Sequence, residues 1–160
     1  MRTIKYIAVH CTGGPQTQTL QAILDYWKNV KKWKTPGYHK LVMPDGTVHN
    51  LVDLDKNSNG VRGFNSVTIN IAYVGGVDEN RKRLDNRTDA QIKSIGKELL
   101  ALEPQYPNAI IKGHRDFSPD LDGDGIIEEH EFIKACPVFD VQPWWASYKL
   151  GLAGAEKLKK

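Results

Sequence analysis

The run Ile4–His10 (IKYIAVH) alternates at first and then turns continuously apolar, the pattern of a strand buried on both faces. Such a strand needs cover above and below it, which constrains the fold more than any other segment does. Ile69–Val74, ended by Gly75 and Gly76, reads as a central strand. Between the two, Leu20, Ile23, Leu24, Trp27 and Val30 recur at helical spacing and predict an amphipathic helix over Thr19–Lys32. Tyr38–Met43 and Thr47–Leu51 flank Pro44-Asp45-Gly46 and predict a β-hairpin. Thr88 and Gln91 form a capping-box pattern ahead of Ile92, Ile95, Leu99 and Leu102. A short strand is expected at Ala109–Lys112 and a short closing helix at Val141–Leu150. Strands and helices alternate, so the expected fold class is α/β, a central mixed β-sheet flanked by helices on both faces.

The length of 160 residues fits one domain, expected over residues 1–150 with a basic tail at 151–160. The apolar runs are only a few residues long, so no membrane-spanning helix is expected. The N-terminus lacks the apolar stretch and cleavage site of a secretory signal, so the sequence assigns no destination: the cytoplasm until release or export by another route. A monomer is expected. The net charge of +3 hides an uneven distribution, because six of the 19 acidic residues fall within residues 120–131. Without those six, 22 basic side chains face 13 acidic ones, a balance of +9. A basic body suits a polyanion such as nucleic acid or bacterial cell wall, and lysine-rich solvated faces would give the same balance. No nucleic-acid-binding motif is recognisable, and no nucleic-acid partner is expected.

His10 and His114 fall at the carboxyl ends of expected strands, where sites of open α/β sheets lie. With Cys136 they make a set of three zinc donors, and no C-x-x-C pair is present to close a four-ligand structural site. Cys11 follows His10 in a strand, so the two side chains point to opposite faces. Cys11 therefore reads as a small buried hydrophobe and Cys136 as the functional thiolate, with a Cys11–Cys136 disulfide as the alternative. Lys134 offers a cation for a developing oxyanion. Tyr38 offers a hydroxyl to hold or protonate, or a place in the core. Trp33, Trp27 and Phe64 are candidates for lining a groove, although Trp27 falls on the apolar helix face and fits the core better.

Residues 120–131 match the calcium loop D-x-D-x-D-G…E by position. Asp120, Asp122, Asp124 and Glu131 supply carboxylates at the first, third, fifth and twelfth places, and Ile126 a backbone carbonyl at the seventh. No helix precedes the loop, so one structural Ca²⁺ site is expected rather than a sensor; the alternative is an acidic turn without an ion.

The segments Ala8-Val9-His10-Cys11, Gly37-Tyr38-His39, Pro44-Asp45-Gly46-Thr47-Val48, Val74-Gly75-Gly76, Gly113-His114-Arg115-Asp116 and Lys134-Ala135-Cys136-Pro137, with Phe139-Asp140 and Trp144-Trp145, occur in a telling order. Together they resemble the zinc-dependent N-acetylmuramoyl-L-alanine amidases of the phage-lysozyme type, which share a fold with peptidoglycan recognition proteins. The resemblance implies Zn²⁺ held by His10, His114 and Cys136, with Tyr38 and Lys134 as the catalytic residues. It also implies cleavage of the lactyl–L-alanine amide of peptidoglycan. One stretch departs: where many relatives read His-Ala-x-Gly-x-Asn, this chain reads Gly60-Val61-Arg62-Gly63-Phe64-Asn65. Asn65 and Trp33 remain the expected substrate contacts. A muropeptide-binding module of the same fold is the competing reading, and retention of all three zinc donors argues against it. A nucleobase deaminase would need H-x-E and P-C-x-x-C, and neither occurs.

Overall fold

A computed structural model describes residues 2–159, with side chains through Leu152. Five strands, β1 (Tyr6–Cys11), β2 (Lys40–Val42), β3 (Val48–Asn50), β4 (Thr68–Tyr73) and β5 (Ile110–Gly113), form one sheet in the order β3-β2-β4-β1-β5. β1 runs parallel to β4 and β5, and β2 runs parallel to β4. Only the hairpin partner β3 is antiparallel, pairing with β2, so the sheet is mixed. The two apolar runs lie side by side in its middle, which is why neither shows a polar face.

Three helices complete the domain: α1 (Leu20–Asp25), α2 (Asp89–Leu102) and α3 (Val141–Lys159). Ile7, Val9 and Cys11 of β1 and Ile69, Ile71 and Tyr73 of β4 enter the larger core with Ile95, Leu99 and Leu102 of α2 and Val141 and Trp145 of α3. Leu41 and Ala72, of opposite parity, form a second core with Ile23 and Trp27. Helices therefore cover both faces. On the second face the register sets Ala8 beside Asn70 and His10 beside Ala72, so His10 and Asn70 are diagonal neighbours on adjacent strands.

Two helices differ from their expected extents. Thr19 caps α1 by accepting the Ala22 N–H, but the regular helix ends at Asp25 and continues as a π-helical turn, Tyr26–Val30. There Lys31 N–H donates to Tyr26 O, five residues back. The closing helix runs past Leu150 to Lys159, because no proline follows and Ala, Leu, Glu and Lys favour helix. Positions 151–159 thus continue α3, and Lys160 of the expected tail lies outside the described residues. Among the described residues no helix is long and apolar enough to cross a membrane.

Candidate metal centre

His10 is the penultimate residue of β1, and His114 opens a 3-10 turn (His114–Phe117) directly after β5. Because these strands are parallel neighbours, the two rings meet with centroids 4.8 Å apart. Cys136 arrives from a distant segment and is fixed by hydrogen bonds to it and to the following Pro137. Arg115 N–H donates to Cys136 O at 2.8 Å, Tyr73 Oη–H donates to Pro137 O at 2.7 Å, and Cys11 N–H donates to Cys136 Sγ at 3.1 Å. The potential ligand atoms of His10, His114 and Cys136 all lie within 4.8 Å of one another. Both cysteines are free thiols, and Cys11 belongs to the core behind the sheet.

The surroundings suit a cation. Burial, reinforced by His114, lowers the His10 pKa to about 3, and burial, reinforced by Lys134, lowers that of His114 to about 4. Both imidazoles are neutral at ordinary pH, the state that binds a metal. His10 Nε2 lies 2.8 Å from Asn70 Oδ1, whereas His10 Nδ1 is buried with no hydrogen-bond partner. Such an orphaned lone pair is costly unless something binds it. Burial pushes the Cys136 thiol well above its ordinary range, and the adjacent Cys11 adds to the shift. A cation at the triad reverses that preference, since a coordinating thiol is deprotonated. Burial likewise raises the Tyr38 phenol, which donates to Cys11 O at 3.2 Å with its ring 5.0 Å from that of His10.

Two cavities, of about 780 and 720 Å³, meet at His114, sharing Trp27, Lys31, Trp33, Tyr38, His114 and Lys134; Cys136 lines the first, and His10 is buried beneath them. The first continues past Cys136 to Arg81 and Arg83; the second continues over Arg62, Phe64 and Phe117. Of the residues singled out in the sequence, Tyr38, Lys134 and Trp33 are brought to this groove. Trp27 is 8% exposed and serves both the second core and the groove wall. Asn65 is not brought there: its Oδ1 accepts the Val61 N–H at 2.8 Å and ties the loop that carries Phe64. The missing histidine has a steric counterpart, since a Cβ on Gly60 would lie 2.2 Å from Asn70 Cγ. Asn70 drew no attention in the sequence, although a polar residue inside Ile69–Val74 was the available signal.

In the acidic loop, oxygens of Asp120, Asp122 and Glu131 lie within 4.8 Å of one another, as do potential ligand atoms of Asp122, Glu128 and His130. Asp124 is in neither group; its Oδ1 accepts the Ile126 N–H at 2.8 Å. Asp120 accepts from Gly123 N–H and Gly125 N–H, and Glu131 from Leu121 N–H and Glu128 N–H.

Fold and centre together define a class: an α/β domain with an open three-donor site at the carboxyl ends of parallel strands, at the bottom of a groove. Residues 1–131 match the family described as N-acetylmuramoyl-L-alanine amidase, a match that includes His10 and His114 and ends before Cys136. An endolysin of Klebsiella phage KP32 is 31% identical over 145 residues, covering 90% of this chain and 87% of that protein. The chain belongs to the N-acetylmuramoyl-L-alanine amidase family. Among solved structures, the Ph2119 endolysin from a Thermus scotoductus bacteriophage is similar with a TM-score of 0.64 and 28% identity, over 86% of this chain and 79% of that one. Bumblebee peptidoglycan recognition protein SA shares the fold at a TM-score of 0.66 and 15% identity, over 89% and 80%.

Proposed function

We propose that the protein is a zinc-dependent N-acetylmuramoyl-L-alanine amidase that hydrolyses the amide between the lactyl group of N-acetylmuramic acid and L-alanine in bacterial peptidoglycan. The observation that carries this reading is the convergence of two neutral imidazoles and one sulfur around the unpartnered Nδ1 of His10. His10, His114 and Cys136 would hold Zn²⁺, matching its preference for nitrogen and sulfur donors with one position left open. When bound, the ion lowers the pKa of water to near neutrality and polarises a carbonyl oxygen. Lys134 places an ammonium beside the reacting carbonyl and stabilises the charge that develops on its oxygen. Tyr38, its proton retained by burial and given to Cys11 O, lines the same space and would offer its hydroxyl oxygen there, or its proton once it turns from Cys11 O.

The two arms of the groove differ in chemistry, which orients the substrate. Arg81 and Arg83 form no ion pair among the described residues, and no carboxylate lines their arm. That arm takes the stem peptide, which carries carboxylates. The arm with Phe64 and Phe117, where Trp33 also stands, takes the sugar face. Residues 120–131 hold a structural Ca²⁺ through Asp120, Asp122 and Glu131, with Asp124 and the Ile126 carbonyl completing the set once Asp124 turns from the Ile126 N–H. Digestion of purified peptidoglycan tests the activity: new N-terminal alanine without new reducing ends is expected. New reducing ends, or no release by zinc-loaded protein, would overturn it.

A further inference from the structure

Asn70 is a fully buried carboxamide in the middle of the central strand β4. An amide in such a place is tolerated only where its donors and acceptor are matched. Its matches run in one direction. His39 Nδ1 receives the backbone N–H of Asn70 at 2.9 Å, and a backbone N–H can only donate, so this nitrogen is bare. The ring proton is then on His39 Nε2, 2.7 Å from Lys56 O, which can only accept. Arg2 Nη2, 2.9 Å from that same nitrogen, is also a donor, so its hydrogen bond goes to Thr68 O at 3.0 Å and its contact with Nε2–H is not one. Ser58 Oγ accepts from Asn70 Nδ2 at 2.8 Å, and its own proton, 3.1 Å from His39 Nδ1 by its oxygen, can share the one lone pair of that nitrogen with the Asn70 N–H. With Nδ2 so engaged, Oδ1 faces His10 Nε2 at 2.8 Å and must accept its proton. His10 Nδ1 is thereby bare, buried and unpartnered. Turning the amide over would present a donor to Nε2 and move the ring proton to Nδ1, where it would block ligation.

We propose that Asn70 is a positioning residue for the metal: oriented by Ser58 and His39, its carboxamide oxygen holds His10 in the Nε2–H tautomer that offers Nδ1 to the ion. Gly60 belongs to the same device. It has an ordinary backbone conformation, and its lack of a side chain is what leaves room for the amide, since a Cβ would lie 2.2 Å from Asn70 Cγ. This inference rests on the zinc reading of the triad, and the test separates the two. Zinc affinity is measured by competition with a chromophoric chelator, and the His10 tautomer by ring-nitrogen NMR of the metal-free protein. Asn70→Leu, which keeps the shape and removes the acceptor, is expected to weaken zinc binding about 10- to 100-fold, as loss of an outer partner of a ligating histidine does. Asn70→Asp keeps an acceptor for Nε2–H and is expected to recover most of that loss, which a packing role would not produce. If Asn70→Leu fails to fold, Ser58→Ala decides: freeing the amide to turn over is expected to weaken zinc binding and to mix the His10 tautomers. Unchanged affinity in Asn70→Leu or in Ser58→Ala, no recovery in Asn70→Asp, or an Nδ1–H tautomer in the wild type would overturn the assignment. A wild type that binds no zinc would instead remove the zinc reading.

Discussion

Lys134 is exposed at the junction of the two cavities, two residues before Cys136, and pairs with no carboxylate among the described residues. Its charge is therefore free to act on a substrate oxygen. Lys134→Ala should lower kcat by about 10²- to 10³-fold, the loss typical of one oxyanion donor, while zinc content stays at the wild-type level. Steady-state kinetics alongside metal analysis checks this, and loss of zinc from the variant would make Lys134 structural. Arg81 and Arg83 act differently, because they lie along the arm and away from the reacting bond. Replacing both with Ala should raise KM for peptidoglycan fragments and leave kcat nearly unchanged, the signature of lost ground-state binding. A fall in kcat at constant KM would place the stem peptide elsewhere.

At the scale of elements, one buried side chain adds hydrogen bonds to the apolar packing of α2 on the sheet. Gln91, fully buried, donates to Val42 O and Val74 O and accepts from Thr88 N–H, while Thr88 Oγ1 accepts from Gln91 N–H. The capping box thus also joins the helix to the ends of β2 and β4. Gln91→Leu should destabilise the protein by about 1–3 kcal/mol, the cost of buried groups left without partners, as read by urea denaturation. A change within about 0.5 kcal/mol, the range of ordinary surface substitutions, would contradict this role. The cap itself was legible in the sequence because its two residues are three apart; its attachment to the sheet was not, because that depends on how α2 docks. The same contrast holds at the centre. His10, His114 and Cys136 stand out as donor types at strand ends or beside a break, whereas Asn70 meets His10 through the register of β1 and β4, His39 by entering β2 beside β4, and Ser58 from the loop after β3. Asn65 shows the converse, a polar residue in the expected stretch whose side chain closes its own loop. In the acidic loop, stripping with a calcium chelator should lower the melting temperature, and adding Ca²⁺ should restore it. An unchanged melting temperature would leave Asp120, Asp122 and Glu131 as a turn held by backbone N–H groups.

For the whole molecule, the centre and the network behind it make stability depend on pH in one direction. Burial is the first cause of the low pKa values of His10, about 3, and of His39 and His114, about 4 each. An unfolded chain protonates these rings near 6.5. Between 6.5 and about 4 the unfolded state binds more protons than the folded one, so stability rises with pH across that window. Metal-free protein should keep this contribution in full above pH 6.5 and lose it progressively as the pH falls toward 4, with the His10 share still falling to about pH 3. The carboxylates with resolved shifts, such as Asp120 and Glu131, are held below their ordinary values by backbone N–H donors, so their contribution is lost as the pH falls through the ordinary carboxylate range, at the acid end of this window. Melting temperatures of metal-free protein at pH 7, 6 and 5, above the carboxylate range, report the imidazoles, and a flat profile over that range would show that they are not buried neutral. Saturating zinc should raise the whole curve, because the ion binds only where the three donors are assembled. Its gain should shrink on acidification as protons compete for His10, His114 and Cys136. A zinc gain independent of pH would mean that the ion is held by groups other than these three.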